Sequence, residues 1–343
     1  MILVSGYYGF DNLGDEAILA ALCEDLQSVG IPRERIVVLS NNPAATRKQL
    51  GVDAVPRYDL RQIWGKLRQA RLFISGGGSL LQDVTSKRSI PYYLGLVELA
   101  LLRGVPVVMY GQGLGPVESN LYRAWIKAAF KRSAACSVRN VASRQFLLDL
   151  GVPGDKVELY ADPVFQAQTV KESGQKENRI LLNLRPYSAW EKQRDIWLNQ
   201  IGSWQEQGFT VEFLPLGPGD REMGQSLQER NRDLKVYQGI TLESMGQVFS
   251  GASLFVSMRL HGLIFSVLHD CQPLGLNYDP KVSAICEQLH IPCLELEDVS
   301  GLGAASVQAR QEAETYRLAY SQALEGLRDA ALQNRTMLAR VLG

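Results

Sequence analysis

Short apolar runs rich in Val, Ile, Leu and Phe recur along this chain, with stretches of helical spacing between them. That alternation limits the possible folds more than any other feature. Brief continuous apolar runs read as strands buried on both faces, and intervening helices return the chain for parallel pairing. The implied class is α/β. In the first half, strands are expected at Ile2–Ser5, Ile36–Leu39, Leu72–Ser75, Val105–Tyr110, Ala135–Val138 and Val157–Tyr160. Helices fall between them, as at Asp15–Gln27 and Tyr122–Lys131. A second series has strands at Ile180–Leu184, Thr210–Leu214, Lys235–Tyr237, Leu254–Ser257, Pro273–Leu276 and Cys293–Leu294.

The polar stretch from Ala167 to Asn178 has no aromatic residue and reads as a linker. It separates residues 1–167 from residues 179–305, with 168–178 as the connection. Residues 306–343 form one long helical pattern, with a break expected near Glu325-Gly326 and enough length to reach back over the first domain. The two halves read as copies of one architecture, two Rossmann-like domains facing a cleft. At 343 residues the chain is long for one core and comfortable for two.

Charge excludes one class of partner. Lys plus Arg number 36 and Asp plus Glu number 36, which removes the usual electrostatic reason to expect nucleic acid. The five cysteines are odd in number, scattered and without a C-x-x-C pair, so a reduced cytoplasm is expected rather than a disulfide framework. The N-terminus Met1-Ile2-Leu3-Val4 has no basic leader and reads as a strand. The most apolar stretch, Tyr92 to Tyr110, carries Glu98, Arg103 and Pro106 and is not expected to span a membrane.

Candidate chemistry gathers where strands end, the edge at which parallel sheets bind ligands. Ser257-Met258-Arg259-Leu260-His261-Gly262 hands a strand over to a helix. A fixed cation and a titratable imidazole two residues apart suit an anion that must also exchange a proton. Lys281, in Asn277-Tyr278-Asp279-Pro280-Lys281, and Arg139, in Ser137-Val138-Arg139-Asn140, also follow strands. So do Asn183-Leu184-Arg185-Pro186 and Leu216-Gly217-Pro218-Gly219-Asp220. Gly76-Gly77-Gly78-Ser79 follows another, and a helix N-terminus is expected just beyond it to favour an anion. The alternative is a turn that only lets strand and helix pack closely. Tyr110-Gly111-Gln112-Gly113-Leu114-Gly115-Pro116 reads as a second glycine loop on the same rim.

After the first strand, Tyr7, Tyr8, Phe10, Asp11, Asn12, Asp15 and Glu16 combine aromatic faces with polar groups, a set suited to a sugar. Asp15 also reads as a helix cap. His269 and His290 sit on helical patterns and read as structural. No histidine or carboxylate spacing resembles a metal site.

Taken together these segments resemble the polysaccharide pyruvyl transferase family, CsaB-type. The resemblance rests on Gly6 to Glu16, Ser75 to Asp83, Gly111 to Pro116, Ser137-Val138-Arg139, Ala161-Asp162-Pro163-Val164, Met258-Arg259-Leu260-His261 and Asn277 to Lys281. Asn140 departs from the acidic residue expected after the Arg, and Gly262 from a frequent alanine. The resemblance implies a glycosyltransferase-B-like fold and a phosphoenolpyruvate (PEP) donor. The reaction would place a pyruvate ketal across two hydroxyls of one sugar and release phosphate. The acceptor would be a lipid-linked precursor of a cell-envelope polysaccharide, met by a cytoplasmic enzyme at the inner face of the membrane.

In that reading His261, Arg259 and Lys281 are catalytic, and Arg139, Gly77, Gly78 and Ser79 complete the PEP set. Tyr7, Tyr8, Phe10, Asp11, Asn12, Asp15 and Asp83 meet the acceptor, and one of Asp11, Asp15, Glu16 and Asp83 takes a hydroxyl proton. No metal and no cofactor beyond the co-substrate PEP is expected. Two competing readings are a nucleotide-sugar glycosyltransferase of the same fold and a non-catalytic sugar-phosphate binding protein.

Overall fold

The computed structural model of the chain describes residues 1–84, 87–167 and 177–343. Apart from residues 177 and 178, the linker expected at 168–178 lies outside the described residues. The chain divides into two compact units, Met1–Ala167 with Leu327–Gly343, and Gln168–Gly326.

Among the described residues, the first unit contains strands β1 (Ile2–Ser5), β2 (Ile36–Ser40), β3 (Asp53–Pro56), β4 (Leu72–Ser75), β5 (Gly78–Leu81), β6 (Val107–Leu114), β7 (Ala135–Val138) and β8 (Val157–Leu159). They form one parallel sheet in the order β3-β2-β1-β4-β6-β7-β8, with β5 beside the far end of β6. Every residue of β1, β2, β4 and β7 is buried, as a sheet covered on both faces requires. The chain builds outward from β1 through β2 to β3, then returns to the other side of β1 as β4. The topological switch therefore lies between β1 and β4, where ligands of such sheets bind.

The second unit repeats the plan with β9 (Arg179–Asn183), β10 (Thr210–Phe213), β11 (Lys235–Val236), β12 (Leu254–Ser257), β13 (Pro273–Asn277) and β14 (Cys293–Glu295). All are parallel, in the order β11-β10-β9-β12-β13-β14, and the switch lies between β9 and β12. Trp197 and Trp204 of the helix Trp190–Glu206 are buried against Ile180, Leu182, Val211 and Phe213 and anchor this core. Two Rossmann-like units of mixed α/β structure, as expected, make up the fold.

Four details differ from the sequence reading. The glycine run does not open a helix. It enters β5, and the next helix starts only at Ser89. The second glycine stretch is not a loop, because β6 continues through Gly111, Gln112 and Gly113 to Leu114. β3 was not expected at all. The C-terminal helix breaks at Glu312 rather than near Gly326, giving helices Leu302–Gln311 and Ala313–Leu342.

The last turns of that helix belong to the first unit. Fully buried Asn334 accepts from the Ser137 hydroxyl at 2.7 Å and donates to the Ala161 carbonyl at 3.4 Å. Arg335 pairs with buried Asp25 at 3.1 Å. Asn334→Ala should lower the unfolding free energy by about 1–3 kcal/mol, since it strips a buried hydroxyl of its acceptor. Urea titration checks this, and an unchanged midpoint would mean the contact contributes nothing.

Candidate functional site

Asn183 ends β9 and Ser257 ends β12, and the two are paired in register. The Ser257 hydroxyl donates to Asn183 Oδ1 at 3.1 Å. Asn183 Nδ2 donates to the Leu214 carbonyl and to Asp220 Oδ2, both at 2.9 Å. Asp220 has no exposure and also accepts the Leu216 N–H at 3.0 Å. Arg259 closes this network as a fork. Its Nε donates to Asp220 Oδ2 at 2.8 Å and its Nη2 to Oδ1 at 2.5 Å. Gly217 is needed beneath it, because a Cβ there would fall 2.8 Å from the Arg259 Cζ.

Arg259 stands at the N-cap position of the helix Leu260–Leu268, and half-buried His261 lies in its first turn. Just beyond the neighbouring β13, Asp279 caps the helix Pro280–Leu289, accepting from the Lys281 N–H and from its Nζ, each at 3.1 Å. The Lys281 Nζ also sits 5.5 Å from the centre of the Tyr278 ring. Arg259, His261 and Lys281 thus stand at the carboxyl ends of adjacent strands. His269 stacks on Phe249, with ring centres 5.7 Å apart, and His290 closes its helix at φ 53°.

The first unit changes several assignments. Tyr8, expected to stack on a sugar, has no exposure. A Cβ on Gly6 would come within 2.3 Å of its ring and one on Gly76 within 2.0 Å of its hydroxyl, so both glycines exist to admit this side chain. Tyr8 fills the switch point between β1 and β4, and its hydroxyl has no hydrogen-bond partner there. Phe10 stacks on Tyr7 at 4.1 Å, and the Arg57 guanidinium lies 4.9 Å from the Phe10 centroid. These rings are engaged with one another rather than laid open.

Arg57 was not read from sequence. It is 4% exposed, lies 4.4 Å from the Tyr92 ring centre, and donates to the Gly6 carbonyl and the Tyr93 hydroxyl. Such cation–π packing fixes the loop that follows β1.

Arg139, expected to touch PEP, is 6% exposed and ion-paired with buried Asp162. Its Nη2 donates to Ser79 Oγ at 3.1 Å, and Gly113 lies against its guanidinium. In this geometry Arg139 and Ser79 brace β5 against β6. Gly77 packs on Ile18 and on the Gly111 carbonyl, and Gly78 on Asp15 at φ 108°. Both are explained by close packing, and no helix N-terminus follows them. Asp83 accepts the Glu118 and Ser119 N–H groups at 2.9 and 3.0 Å and so clamps a loop. Asn140, the departure from the family pattern, caps the helix Val141–Asp149 through the Ser143 N–H.

The remaining first-unit candidates sit together. Asn12, not Asp15, stands at the N-cap position of the helix Leu13–Ser28, without a side-chain capping bond, and its side chain donates to Asp15 Oδ2 at 2.5 Å. Asp11 is exposed at φ 57°. Glu16 accepts the Gly9 N–H at 2.7 Å. Burial raises its carboxyl to about 7, with Asp15 and Asp11 adding to the rise.

Among the described residues no group of three or more His, Cys, Asp or Glu side chains converges to hold a metal. No described helix is long and apolar enough to cross a membrane.

The sequence family described as polysaccharide pyruvyl transferase matches residues 12–280. The chain belongs to this family. The match includes the strand ends that carry Arg139, Arg259 and His261 and stops at Pro280, one residue before Lys281. The chain is also 24% identical to the amylovoran biosynthesis protein AmsJ of Erwinia amylovora, over 75% of this chain and 68% of that protein. Among solved structures, the UDP-GlcNAc 2-epimerase of Neisseria meningitidis bound to UDP-GlcNAc superposes with a TM-score of 0.68 at 13% identity, covering 99% of this chain and all of that one. The HepE protein of Anabaena in complex with UDP gives 0.63 at 10% identity, covering 99% of each chain. These likenesses show the glycosyltransferase-B-like fold. Membership of the family makes this pyruvyl transferase a transferase of polysaccharide biosynthesis.

Two outcomes test the first-unit assignments. Tyr8→Phe should leave stability unchanged or raise it by up to about 1–3 kcal/mol, since it removes a buried hydroxyl that has no partner. A clear loss of stability in urea would mean the hydroxyl is bonded. For Glu16, the folded pKa of about 7 exceeds the ordinary 4.5, so the folded state holds its proton more tightly than the unfolded chain. Stability from this group is complete below pH 4.5 and is lost as pH rises through 7. Glu16→Gln, which can still accept from Gly9, should flatten that part of the stability–pH curve. Parallel curves for the two proteins would refute the shift.

Proposed function

We propose that the enzyme transfers the pyruvyl group of PEP to two hydroxyls of one sugar in a cell-envelope polysaccharide precursor, forming a ketal and releasing phosphate. The observation that supports this best is the juxtaposition of Arg259, His261 and Lys281 at the ends of β12 and β13 in a chain of this family. A proton reaches the methylene carbon of PEP and leaves an oxocarbenium-like centre at the adjacent carbon. One sugar hydroxyl attacks that carbon, the bond from carbon to the phosphate oxygen breaks, and the second hydroxyl closes the ring. Both hydroxyl protons pass to bases or to the departing phosphate.

Arg259 is built for recognition of a planar or tetrahedral anion, because Asp220 holds its fork rigid. His261, in the first helical turn beside it, is the proposed proton-transfer group. Lys281 stabilises charge on the leaving phosphate, tethered by Asp279. The acceptor is proposed to meet the polar groups after β1, where Asp11, Asn12, Asp15 and Glu16 cluster, with Tyr7 at the margin. A lipid-linked acceptor would bring a cytoplasmic enzyme to the inner membrane surface by weak, reversible contact.

The competing nucleotide-sugar reading calls for a carboxylate free to hold ribose hydroxyls. Asp220 and Asp279, the carboxylates beside Arg259 and Lys281, already bond those cations, while exposed Glu295 at the end of β14 bonds the Asn277 amide. A non-catalytic phosphate-binding protein would not need His261.

His261→Ala should lower kcat roughly 100- to 10,000-fold, the usual worth of a general acid or base. Affinity for PEP by calorimetry should hold. Phosphate release from PEP with an acceptor saccharide is the assay. Turnover near the wild-type rate removes His261 from proton transfer, and absence of phosphate release from wild type across a panel of acceptors would sink the pyruvyl reading.

A further inference from the structure

Arg185 follows β9, on the other side of the switch point from Arg259. It stands two residues beyond Asn183, and Arg259 stands two beyond the register partner Ser257. The two side chains therefore leave neighbouring strands at matched positions. Arg185 Nη1 donates to the Tyr278 hydroxyl at 2.5 Å, and its guanidinium lies 4.8 Å from the centre of that ring. Lys281 approaches the same ring. Tyr278 thus brings Arg185, from β9, and Lys281, from β13, to one place.

The charges at this edge are unequal in availability. Arg259 is matched by both oxygens of Asp220, and Lys281 by Asp279. Each pair is formally neutral. Arg185 is bonded to a neutral phenol, and no carboxylate of the described residues pairs with it. Its Nε is buried without a hydrogen-bond partner. A buried donor left unmade is costly, so a site that keeps one is suited to a ligand that completes it. A half-buried arginine at a topological switch, uncompensated and with an idle N–H, is built for an anion.

We infer that Arg185 binds the phosphoryl group of the donor, with Tyr278 holding its fork in place. This rests on the proposed PEP-dependent reaction for the donor's identity, but not for the anion. A phosphate ester near neutral pH carries close to two negative charges, and of Arg185, Arg259 and Lys281 it is Arg185 that no carboxylate of the described residues matches. A carboxylate, with one charge, fits the Asp220-braced Arg259 better.

The test is calorimetry of PEP and of inorganic phosphate with wild type, Arg185→Gln and Arg185→Lys, with thermal unfolding of each. Charge-assisted hydrogen bonds contribute roughly 1.5–3 kcal/mol, so Arg185→Gln should weaken both PEP and inorganic phosphate by about 10- to 150-fold. Arg185→Lys should recover part of the loss and remain more salt-sensitive, because a point charge replaces a fork. Steady-state kinetics should show KM for PEP raised and KM for the acceptor unchanged, a split that general loosening of the unit would not give. Equal phosphate affinity in wild type and Arg185→Gln overturns the inference, as does failure of wild type to bind phosphate. Should Arg185→Gln unfold, the comparison of Arg185→Lys with wild type decides alone, and equal affinity for phosphate would again overturn it. Wild type that binds phosphate but not PEP would defeat the donor assignment, leaving Arg185 to be judged on phosphate.

Discussion

A carboxylate with no access to solvent governs the second unit. Asp220 takes hydrogen bonds from Asn183, from the Leu216 N–H and from two nitrogens of Arg259. A buried ion is tolerated only when so fully satisfied, and removal of one partner of such a pair costs on the order of 3–5 kcal/mol. Asn183 and Ser257 are therefore more than strand ends. They tie β9, β10 and β12 to the carboxylate that sets the guanidinium of Arg259. The position of His261 follows, because Arg259 immediately precedes the helix on which His261 lies. Geometry at the site is thus inherited from a network whose members, apart from Arg259, need never touch a ligand.

The same device recurs in the first unit, where buried Asp162 holds Arg139. Its setting differs. Arg139 is enclosed by β5, Ser79 and Gly113, and the switch point between β1 and β4 is filled by the ring of Tyr8. In the second unit the corresponding switch point is flanked by Arg185 and Arg259. One plan, used twice, closes its crevice with an aromatic side chain in one unit and lines it with cations in the other. That asymmetry is a physical basis for assigning anion recognition to the second unit.

Much of the fold was legible because parallel strands buried on both faces leave an unambiguous apolar signature, as in Leu72-Phe73-Ile74 and Leu254-Phe255-Val256. The misses share a cause. Gly-Ser-Leu-Leu in β5 is too short and lacks β-branched residues, so it cannot be told from a helix start. Asp53-Ala54-Val55-Pro56 is a poor strand by composition, and its proline is acceptable only because β3 is an edge. Gly326 has open space around it and stays within a long helix, since one helical glycine costs only about 1 kcal/mol. At the site, the strand-end residues Arg259, His261 and Lys281 were legible by position. The burial of Tyr8 and the caging of Arg57 were not, because they depend on Gly6, Gly76, Phe10, Tyr92 and Tyr93 converging from distant parts of the chain.

Pairing each cation with its own carboxylate has a further consequence for the chemistry. An arginine locked to aspartate is well oriented but offers little net charge, whereas an arginine without a counter-ion offers charge but needs something else to orient it. Asp220 does the first for Arg259, and the Tyr278 hydroxyl and ring do the second for Arg185. A substrate with one carboxylate and one phosphate makes both demands at once: a shaped contact for the singly charged end and a net positive field for the doubly charged one. Preorganised groups stabilise developing charge because they need not reorganise as the reaction proceeds. Dividing orientation and charge between two arginines on neighbouring strands would let one sheet edge meet both demands, with only Arg185 left without a counter-ion before the substrate arrives.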